Sequence, residues 1–423
     1  MAKRIAFISD HASPLAAAGG VDSGGQNIYV AQVAMQLALL GYEVDVFTRR
    51  DSEALPEIVE WRPRVRVVHV PAGAPSFVRK EELLATMPDF AAWMGAFSRR
   101  HGGYHLAHAN FFLSGLVARE LKRALGTPFV VTFHALGRVR QHHQGGADEF
   151  PRERPAIEEC IMQDADAVIA ECPQDFSDLT TLYAADPSRI VVIPCGFDRS
   201  EFWPITKPFA RRALGLPKDE HLLLNVGRLV PRKGVDNAIR GLSLLSRRLG
   251  MPARLLIVGG NSDLPDPALT PEIGRLQALA DAEGVGGLVT FTGRRSREFL
   301  KLYYSAADLF VTTPWYEPFG ITPLESMACG TPVIGADVGG IRYSVADGET
   351  GCLVPAQDPE ALAARAAEML RDPAALRTMG RNAILRVNGQ FTWRKVTRSI
   401  AGLYEQVLAG RAPRPERYVQ QAA

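Results

Sequence analysis

Short apolar runs alternate with longer segments of helical periodicity in the first half of the chain. The runs are continuous rather than alternating, which is typical of parallel strands buried on both faces. Segments such as Asn27–Leu40 and Glu158–Asp164 carry helical patterns between them. This alternation predicts a parallel-sheet α/β domain. The predicted strands are Arg4–Ser9, Glu43–Thr48, Val65–Val70, Tyr104–His108, Phe129–Phe133, Ala167–Ala170 and Ile190–Ile193.

The same pattern restarts in the second half, after a stretch rich in proline and glycine, Pro194–Pro217, that we interpret as a linker. A second series of strands and helices predicts a second doubly wound domain. After Asp358 the chain has only helical patterns. The strands predicted here are His221–Val226, Arg254–Val258, Leu288–Phe291, Asp308–Thr312 and Pro332–Gly335.

Length and composition agree with two ordinary globular domains. The chain has 423 residues, of which 47% are hydrophobic and 22% charged, and one core stops growing at roughly 250–300 residues. The net charge of +2 gives no reason to expect a nucleic-acid partner. The five cysteines lack any CxxC spacing, and we find no signal peptide or membrane-spanning apolar run. We expect a cytoplasmic protein with reduced thiols, while contact with a membrane surface stays open.

The segment Glu317–Glu325 carries the strongest chemical signal. It follows the predicted strand Asp308–Thr312 and leads into a predicted helix, Thr322–Cys329. The free N–H groups at a helix start favour a phosphate, and Glu317 before it could reach a sugar hydroxyl. Glu325 could face the same ligand, or it could complete a capping box with Thr322.

Two further loops are candidates for a diphosphate and its sugar. The loop after His221–Val226 carries Arg228 and Lys233, two cations suited to a diphosphate, although a basic loop is often only a solvated surface. The glycine-rich loop Asp22–Asn27 follows the first strand and would allow a ligand close to the backbone, or form a simple turn. His134 ends the strand Phe129–Phe133 and has either a ligand-binding or a structural role.

A DxD sequence at Asp164-Ala165-Asp166 raises the possibility of a metal–diphosphate site. It ends a predicted helix and begins a buried strand, which favours a structural role. Two cations and a helix N-terminus could stabilise a leaving diphosphate without metal. We therefore predict no metal site and no required cofactor.

Together these residues resemble the retaining GT-B glycosyltransferases of the family that includes sucrose synthase, sucrose-phosphate synthase and the inositol-phosphate N-acetylglucosaminyltransferase of mycothiol synthesis. The resemblance implies two Rossmann-like domains facing a central cleft. These would be an acceptor domain at 1–200, a nucleotide-sugar domain at 201–385, and a C-terminal helix at 386–423 that returns toward the first. The motifs are Gly24-Gly25-Gln26-Asn27, His134, Gly227-Arg228 with Lys233, Glu317 through Glu325, Gly330-Thr331-Pro332-Val333 and Phe391-Thr392-Trp393.

The resemblance also implies roles for individual residues. The catalytic group would be His134, Arg228, Lys233 and Glu317. The donor would contact Gly25, Phe319, Gly320, Ile321, Thr322 and Glu325. The acceptor would contact Asn27, Lys80 and Arg154. Phe111 and Ala135 stand where the inositol-phosphate enzyme carries hydroxyl-bearing residues, and each lost hydrogen bond to a charged group would cost roughly 1.5–3 kcal/mol.

The predicted reaction is hexosyl transfer with retention, from a nucleoside-diphosphate sugar, with UDP favoured, to a small phosphorylated sugar or polyol. One alternative is a lipid-linked or glycan acceptor in envelope or exopolysaccharide assembly, which an exposed patch around Phe77, Phe111 and Phe112 would favour. Another is a nucleotide-sugar-binding protein without turnover. The sequence does not determine the oligomeric state.

Overall fold

A computed structural model describes residues 2–16 and 24–413. Within them the chain forms two compact units. Unit 1 comprises residues 2–16, 25–194 and 393–413, and unit 2 comprises Gly24 and residues 195–392. Asp22 and Ser23, from the predicted glycine-rich loop, lie outside the described residues.

Unit 1 is built on a sheet of order β3-β4-β2-β1-β5-β6-β7-β8, in which β3 alone is antiparallel to its neighbour. Its strands are β1 (Arg4–Ile8), β2 (Glu43–Arg49), β3 (Ile58–Arg62), β4 (Val65–Val70), β5 (Leu106–Asn110), β6 (Phe129–Thr132), β7 (Ala167–Ala170) and β8 (Ile190–Val192). Its helices are α1 (Gly25–Leu39), α2 (Met87–Arg100), α3 (Phe112–Leu125), α4 (Gly137–Gln144), α5 (Arg154–Asp164), α6 (Pro173–Leu182) and α15 (Trp393–Leu408).

Unit 2 has a parallel sheet of order β11-β10-β9-β12-β13-β14. This is the doubly wound Rossmann order, in which the first strand lies at the centre. Its strands are β9 (His221–Val226), β10 (Ala253–Val258), β11 (Val289–Gly293), β12 (Leu309–Thr312), β13 (Val333–Ala336) and β14 (Gly351–Val354). Its helices are α7 (Lys207–Ala213), α8 (Val235–Ser243), α9 (Pro271–Ala282), α10 (Arg297–Ala306), α11 (Ile321–Ala328), α12 (Gly339–Ser344), α13 (Pro359–Arg371) and α14 (Pro373–Gln390).

The continuous apolar runs form the inner strands because both sheet faces are covered. Residues of β5, β6 and β12 are buried throughout. Two strands were not predicted from the sequence, the edge strand β3 and the short β14. The stretch interpreted as a linker, Pro194–Pro217, contains the helix α7.

Capping residues that are visible in the sequence determine where the last two helices of unit 2, α13 and α14, begin. Asp358 caps α13 by accepting a hydrogen bond from the Ala361 N–H, and Pro359 occupies the first turn. Asp372 caps α14 in the same way, through Ala374 and Ala375. These side chains satisfy backbone donors that the helix itself leaves open.

Helix α15 packs within unit 1 through buried aromatic contacts. The Tyr404 hydroxyl lies 2.6 Å from Nδ1 of His108, and the Trp393 ring lies 5.7 Å from that of Tyr29. Burial lowers the pKa of His108 to about 3, with a further contribution from His134. His108 is therefore a neutral structural residue at ordinary pH. Among the described helices, none has the length and apolar character to cross a bilayer.

Candidate functional site

The centre of the unit 2 sheet is where its strand order reverses, because β9 lies between β10 and β12. Doubly wound sheets bind ligands outside the carboxyl ends of the strands at such a point. Two loops leave the sheet here, residues 227–234 after β9 and residues 313–320 after β12. They form the first candidate site.

Gly234 allows these two loops to touch. Its φ of 65° lies in the left-handed region, and a Cβ there would come within 1.9 Å of the Thr313 carbonyl oxygen. The Thr313 hydroxyl donates a 3.0 Å hydrogen bond to the Gly234 carbonyl oxygen. This close approach brings Lys233 of one loop against Glu317 of the other.

The Lys233 ammonium donates to the Glu317 carboxylate. The two side chains are 23% and 13% exposed, so the pair is shielded but still open to a ligand. Burial lowers the pKa of Lys233 to about 8; Glu317 opposes this shift, and Arg232 and Arg228 add to it. Burial acts to raise the pKa of Glu317, but the three neighbouring cations outweigh it and lower that pKa. Glu317 is thus ionised at neutral pH.

Cations outnumber the carboxylate in this cluster. Arg228 and Arg232 both act electrostatically on Lys233 and Glu317. The Arg232 guanidinium lies 5.1 Å from the centroid of the Tyr316 ring, and within the described residues its buried Nη1 has no hydrogen-bond partner. The excess positive charge suits an anion such as a diphosphate.

Helix α11 begins beside this cluster without a side-chain cap. Its N-cap is Gly320, at a φ of 90°, and within residues 2–16 and 24–413 no side chain caps its first turn. Of the two interpretations of Glu325, the capping box is therefore excluded, because α11 begins at Ile321 and Thr322 is already its second residue. The uncapped N–H groups of the first turn are available to a phosphate.

A glycine pair at the start of α12 supports the Glu317–Gly320 turn. A Cβ on Gly339 would come within 1.9 Å of the Glu317 carbonyl oxygen, and one on Gly340 within 2.3 Å of Phe319 Cα. The turn can take its position only because both residues lack side chains. Sequence reasoning missed this pair, although two adjacent glycines after the strand β13 were a visible signal.

The predicted donor residues Phe319 and Ile321 have buried side chains, 2% and 8% exposed. The Phe319 ring lies 6.2 Å from that of Phe391 inside unit 2. Phe319 and Ile321 can therefore contact a ligand mainly through their backbone atoms. Thr322, partly exposed in the first turn of α11, can offer both its N–H and its hydroxyl.

Glu325 belongs to a buried hydrogen-bond network with Arg297 and Tyr304. It is 1% exposed, and its two oxygens accept 2.9 Å hydrogen bonds from Arg297 Nη1 and the Tyr304 hydroxyl. Burial raises the pKa of Glu325, against the effect of Arg297. Sequence reasoning missed Arg297 and Tyr304, whose roles depend on tertiary contacts. A ribose contact by Glu325 stays a prediction, one that its remaining lone pairs allow.

The second candidate site lies at the carboxyl edge of the unit 1 sheet, where β1 and β5 adjoin and the strand order again reverses. Gly25 opens α1 at this edge and is exposed. The buried Asp10, just after β1, accepts a 2.6 Å hydrogen bond from the Ser114 hydroxyl and lies 2.9 Å from Nδ1 of His11. This edge is thus lined by polar groups that are already hydrogen-bonded.

His134 follows β6 and has a φ of 57°. Its Nδ1 lies 2.9 Å from Glu171 Oε1, and its Nε2 lies 3.1 Å from Asn110 Oδ1. The ring meets that of Tyr29 edge-on at 4.7 Å. Both ring nitrogens are therefore engaged inside unit 1. Asn110 and Glu171 were missed, since Asn110 ends β5 and Glu171 follows β7, both far from His134 in sequence.

The predicted acceptor residues Asn27 and Lys80 also belong to unit 1. Asn27 is 6% exposed and donates a 3.0 Å hydrogen bond to the Ser13 carbonyl oxygen. Lys80 is 20% exposed and lies 3.5 Å from Glu81. An acceptor role for both stays a prediction.

Arg154 is almost fully buried, at 1% exposure. Its guanidinium donates at 2.8 Å to Glu158 and at 2.5 Å to the Ala135 carbonyl oxygen. Within the described residues, its Nη1 has no hydrogen-bond partner. An acceptor could reach it only if the surrounding aromatic side chains moved. Three rings enclose it at centroid distances of 4.5 to 4.8 Å: Phe111, Phe112 and Phe150.

The aromatic surface patch suggested by the sequence is not formed. Phe111 and Phe112 are 4% and 0% exposed, because they pack on Arg154, whereas Phe77 is 59% exposed. A large exposed apolar patch is what would mark a membrane-facing surface. The alternative of a lipid-linked acceptor therefore loses the feature that would have favoured it.

The DxD residues hold structural ion pairs. Asp164 accepts from Arg119 at 2.5 Å, and Asp166 accepts from Lys122 at 2.8 Å and from the Phe129 N–H at 2.9 Å. Throughout residues 2–16 and 24–413, no group of three or more potential metal-ligating side chains comes together. Whether the protein works without metal stays a prediction.

Two family models match the chain. The glycosyl transferases group 1 model covers residues 206–386, and a glycosyl transferase 4-like domain model covers residues 24–196. The D-inositol 3-phosphate glycosyltransferase of Actinosynnema mirum is 38% identical over 96% of this chain and 97% of its own length. The enzyme of the same name from Acidothermus cellulolyticus is also 38% identical, over 97% of this chain and 91% of its own.

Solved structures agree with these relatives. Sucrose-phosphate synthase from Thermosynechococcus elongatus has a TM-score of 0.89 and 36% identity, covering 96% of this chain and all of that one. Anabaena HepE in complex with UDP and glucose has a TM-score of 0.73 at 20% identity over 96% of this chain and 100% of that one, a likeness of fold. The chain has the two Rossmann-like domains of the GT-B fold. It belongs to the group 1 glycosyltransferase family and is a glycosyltransferase.

Proposed function

We propose that this enzyme transfers a hexosyl group, with retention of anomeric configuration, from a UDP-sugar to a small phosphorylated sugar or polyol. The observation that carries the donor assignment is the cationic cluster around Glu317, next to the uncapped start of α11. A fixed excess of positive charge beside open N–H groups is suited to a diphosphate.

In this proposal Arg228 and Lys233 bind the donor diphosphate, and the N–H groups of Ile321 and Thr322 bind its terminal phosphate. Glu317 is ionised and accepts hydrogen bonds from donor-sugar hydroxyls. The contacts from these cations and N–H groups to the diphosphate strengthen as negative charge builds on it, so they accelerate the reaction as well as binding the substrate.

The transfer step needs no carboxylate pair. The acceptor hydroxyl oxygen bonds to the anomeric carbon as the bond from that carbon to the diphosphate breaks. The hydroxyl proton passes to a diphosphate oxygen, and attack on the face that the leaving group vacates retains the configuration. Two carboxylates flanking the reacting bond, the arrangement used by most glycosidases, are then unnecessary.

The acceptor assignment is supported by the relatives. The name of the Actinosynnema mirum relative, which is 38% identical to this chain, specifies inositol 3-phosphate. That of the solved synthase, which is 36% identical, specifies sucrose phosphate. In unit 1, Asn27 and Lys80 are the residues predicted to contact the acceptor. Phe111 and Ala135 offer no hydroxyl, so we expect a sugar phosphate rather than inositol phosphate to be the better acceptor.

The test is release of UDP from UDP-glucose with separate acceptors: fructose 6-phosphate, inositol phosphate, neutral sugars, or none. Glu317→Gln should lose turnover. Asp186→Asn is the control and should keep turnover, because this exposed carboxylate belongs to unit 1 and pairs with Arg189. Proton NMR of the product then gives its anomeric configuration.

We expect a phosphorylated acceptor to stimulate UDP release. We expect the product to have the same axial anomeric configuration as the donor sugar. Stimulation by neutral sugars alone would replace the acceptor assignment. UDP binding without turnover on any of these acceptors would contradict the proposed acceptor class. Inverted product would contradict the proposed mechanism.

A further inference from the structure

Arg232 joins the two loops of the first candidate site through both its backbone and its side chain. It lies in a single helical turn, Pro231–Lys233. Its carbonyl oxygen accepts a 2.9 Å hydrogen bond from the Trp315 N–H, and its guanidinium lies over the Tyr316 ring, 5.1 Å from the centroid. Tyr316 is 6% exposed and directly precedes Glu317. Arg232 therefore holds the residue from which the chain enters Glu317.

Two other contacts fix Glu317 itself. Its carbonyl oxygen accepts a 3.2 Å hydrogen bond from the Gly340 N–H, and its carboxylate accepts one from the Lys233 ammonium. The stacked Tyr316 ring adds a third attachment, on the side where the chain arrives from β12. Loss of this attachment would loosen the chain before Glu317 while the other two contacts remained.

Fold stability alone does not explain an arginine at position 232. Within the described residues, its buried Nη1 has no hydrogen-bond partner. A buried donor without a partner is destabilising, and an apolar side chain could pack on Tyr316 without this cost. A cation over an aromatic ring is attracted to it electrostatically, and the attraction grows when the contact is shielded from water. The guanidinium therefore suits the precise placement of the ring better than it suits stability.

We propose that Arg232 is a positioning residue of the donor site, which stacks on Tyr316 and thereby fixes Glu317 where its carboxylate meets the donor sugar. This inference rests on the proposed function, in which Glu317 accepts hydrogen bonds from sugar hydroxyls. Arg232 acts on the sugar through Tyr316 and Glu317. Its charge, which also acts on Lys233 and Glu317, attracts the diphosphate independently of that placement.

A comparison of UDP-glucose with UDP separates these two effects. Both ligands carry the diphosphate, and UDP has the greater negative charge. Removal of a positive charge therefore weakens UDP at least as much as UDP-glucose, and it leaves the ratio of the UDP-glucose to the UDP association constant unchanged or raised. A displaced Glu317 weakens UDP-glucose alone and lowers this ratio. Calorimetry on the full-length protein measures both constants.

The variants are Arg232→Met, Tyr316→Leu and the double variant. Tyr316→Phe keeps the ring, and Arg275→Met removes an exposed arginine of α9 that pairs with Glu272 in the same helix, so these two are the controls. Melting temperatures are measured for every protein, because a fall in stability would identify a structural role.

We expect Arg232→Met and Tyr316→Leu each to lower the ratio at least about fivefold, as expected for the loss of a shielded contact between a cation and a ring. The double variant should lie within about twofold of the lower single variant, because residues that act as a unit are not additive. Both controls should keep the wild-type ratio. Arg232→Met should melt close to the wild-type temperature, since it also removes an unpartnered donor.

An unchanged or raised ratio in Arg232→Met would overturn the proposal, because charge alone would then account for the residue. Single effects that multiply in the double variant, or a ratio lowered in Tyr316→Phe, would also overturn it. So would a large fall in the melting temperature of Arg232→Met while Tyr316→Leu kept the wild-type ratio.

Failure of the proposed function would look different. If the wild type bound neither ligand, the donor assignment would fail, and the role of Arg232 would fail with it. If the wild type bound both ligands and transferred glucose, but the ratio stayed the same in Arg232→Met, the positioning role alone would be wrong.

Discussion

Lys233 and Glu317 are 84 positions apart in sequence and form one ion pair at the centre of unit 2. The pair exists because Gly234 lets the loops after β9 and β12 touch. The pair places an ionised carboxylate beside a lysine whose pKa is about 8, close to neutral pH. This combination has consequences that can be measured.

UDP binding should weaken as pH rises through 8. The pKa of Lys233 in the free protein is about 8, and a bound diphosphate favours the charged ammonium. Binding above pH 8 therefore requires uptake of a proton, and affinity should fall roughly tenfold per pH unit. Isothermal titration calorimetry with UDP from pH 7 to 9.5 measures this. Lys233→Arg, which stays charged, should give a flat profile; an equally flat wild-type profile would exclude Lys233 as the group responsible.

Gly340→Ala should damage donor binding through steric crowding alone. A Cβ at this position would lie 2.3 Å from Phe319 Cα and from its carbonyl oxygen, so the Glu317–Gly320 turn must shift. Overpacking of this kind costs about 1–3 kcal/mol. Thermal melts and UDP titrations test it against Gly389→Ala, an exposed helical site where a Cβ meets nothing within 4 Å. Equal behaviour of the two variants would show that the turn does not depend on Gly340.

Replacement of Arg154 should destabilise the protein more than the loss of a surface charge would. Arg154→Met leaves Glu158 buried without its cation, and breaking such a pair costs about 3–5 kcal/mol. The double variant with Glu158→Gln removes both charges and keeps an acceptor for the Gly137 N–H, so it should be the milder change. Melting temperatures of the single and double variants measure the difference. A double variant that melts at a lower temperature than Arg154→Met would mean that the unpaired Glu158 charge is not what destabilises the single variant.

The fold could be predicted because most strands are buried on both faces. Continuous apolar runs marked β9, β10 and β12 to within a residue or two. The edge strand β3 was missed because none of its five residues is fully buried and they mix apolar with charged side chains. The four-residue β14 was too short to stand out beside the helical pattern that follows it.

The candidate site was predictable where polar residues follow strands directly, as for Arg228, Lys233 and Glu317. It was not predictable where a role depends on a distant partner. Glu325 matched the sequence of a capping box, yet Gly320 takes the N-cap position and Glu325 bonds Arg297 and Tyr304 instead. Residues joined by tertiary contacts carry no local sequence pattern.

The diphosphate site in unit 2 is tested most directly by comparing UDP with UMP by calorimetry on the wild type and Lys233→Met. Lys301→Met is the control, since that ammonium lies over the Trp203 ring, 3.7 Å from its centroid. We predict that UDP binds the wild type at least about tenfold more tightly than UMP, and that Lys233→Met removes this difference while Lys301→Met preserves it. Equal binding of UDP and UMP by the wild type, or a preference for UDP that survives Lys233→Met, would contradict the assignment.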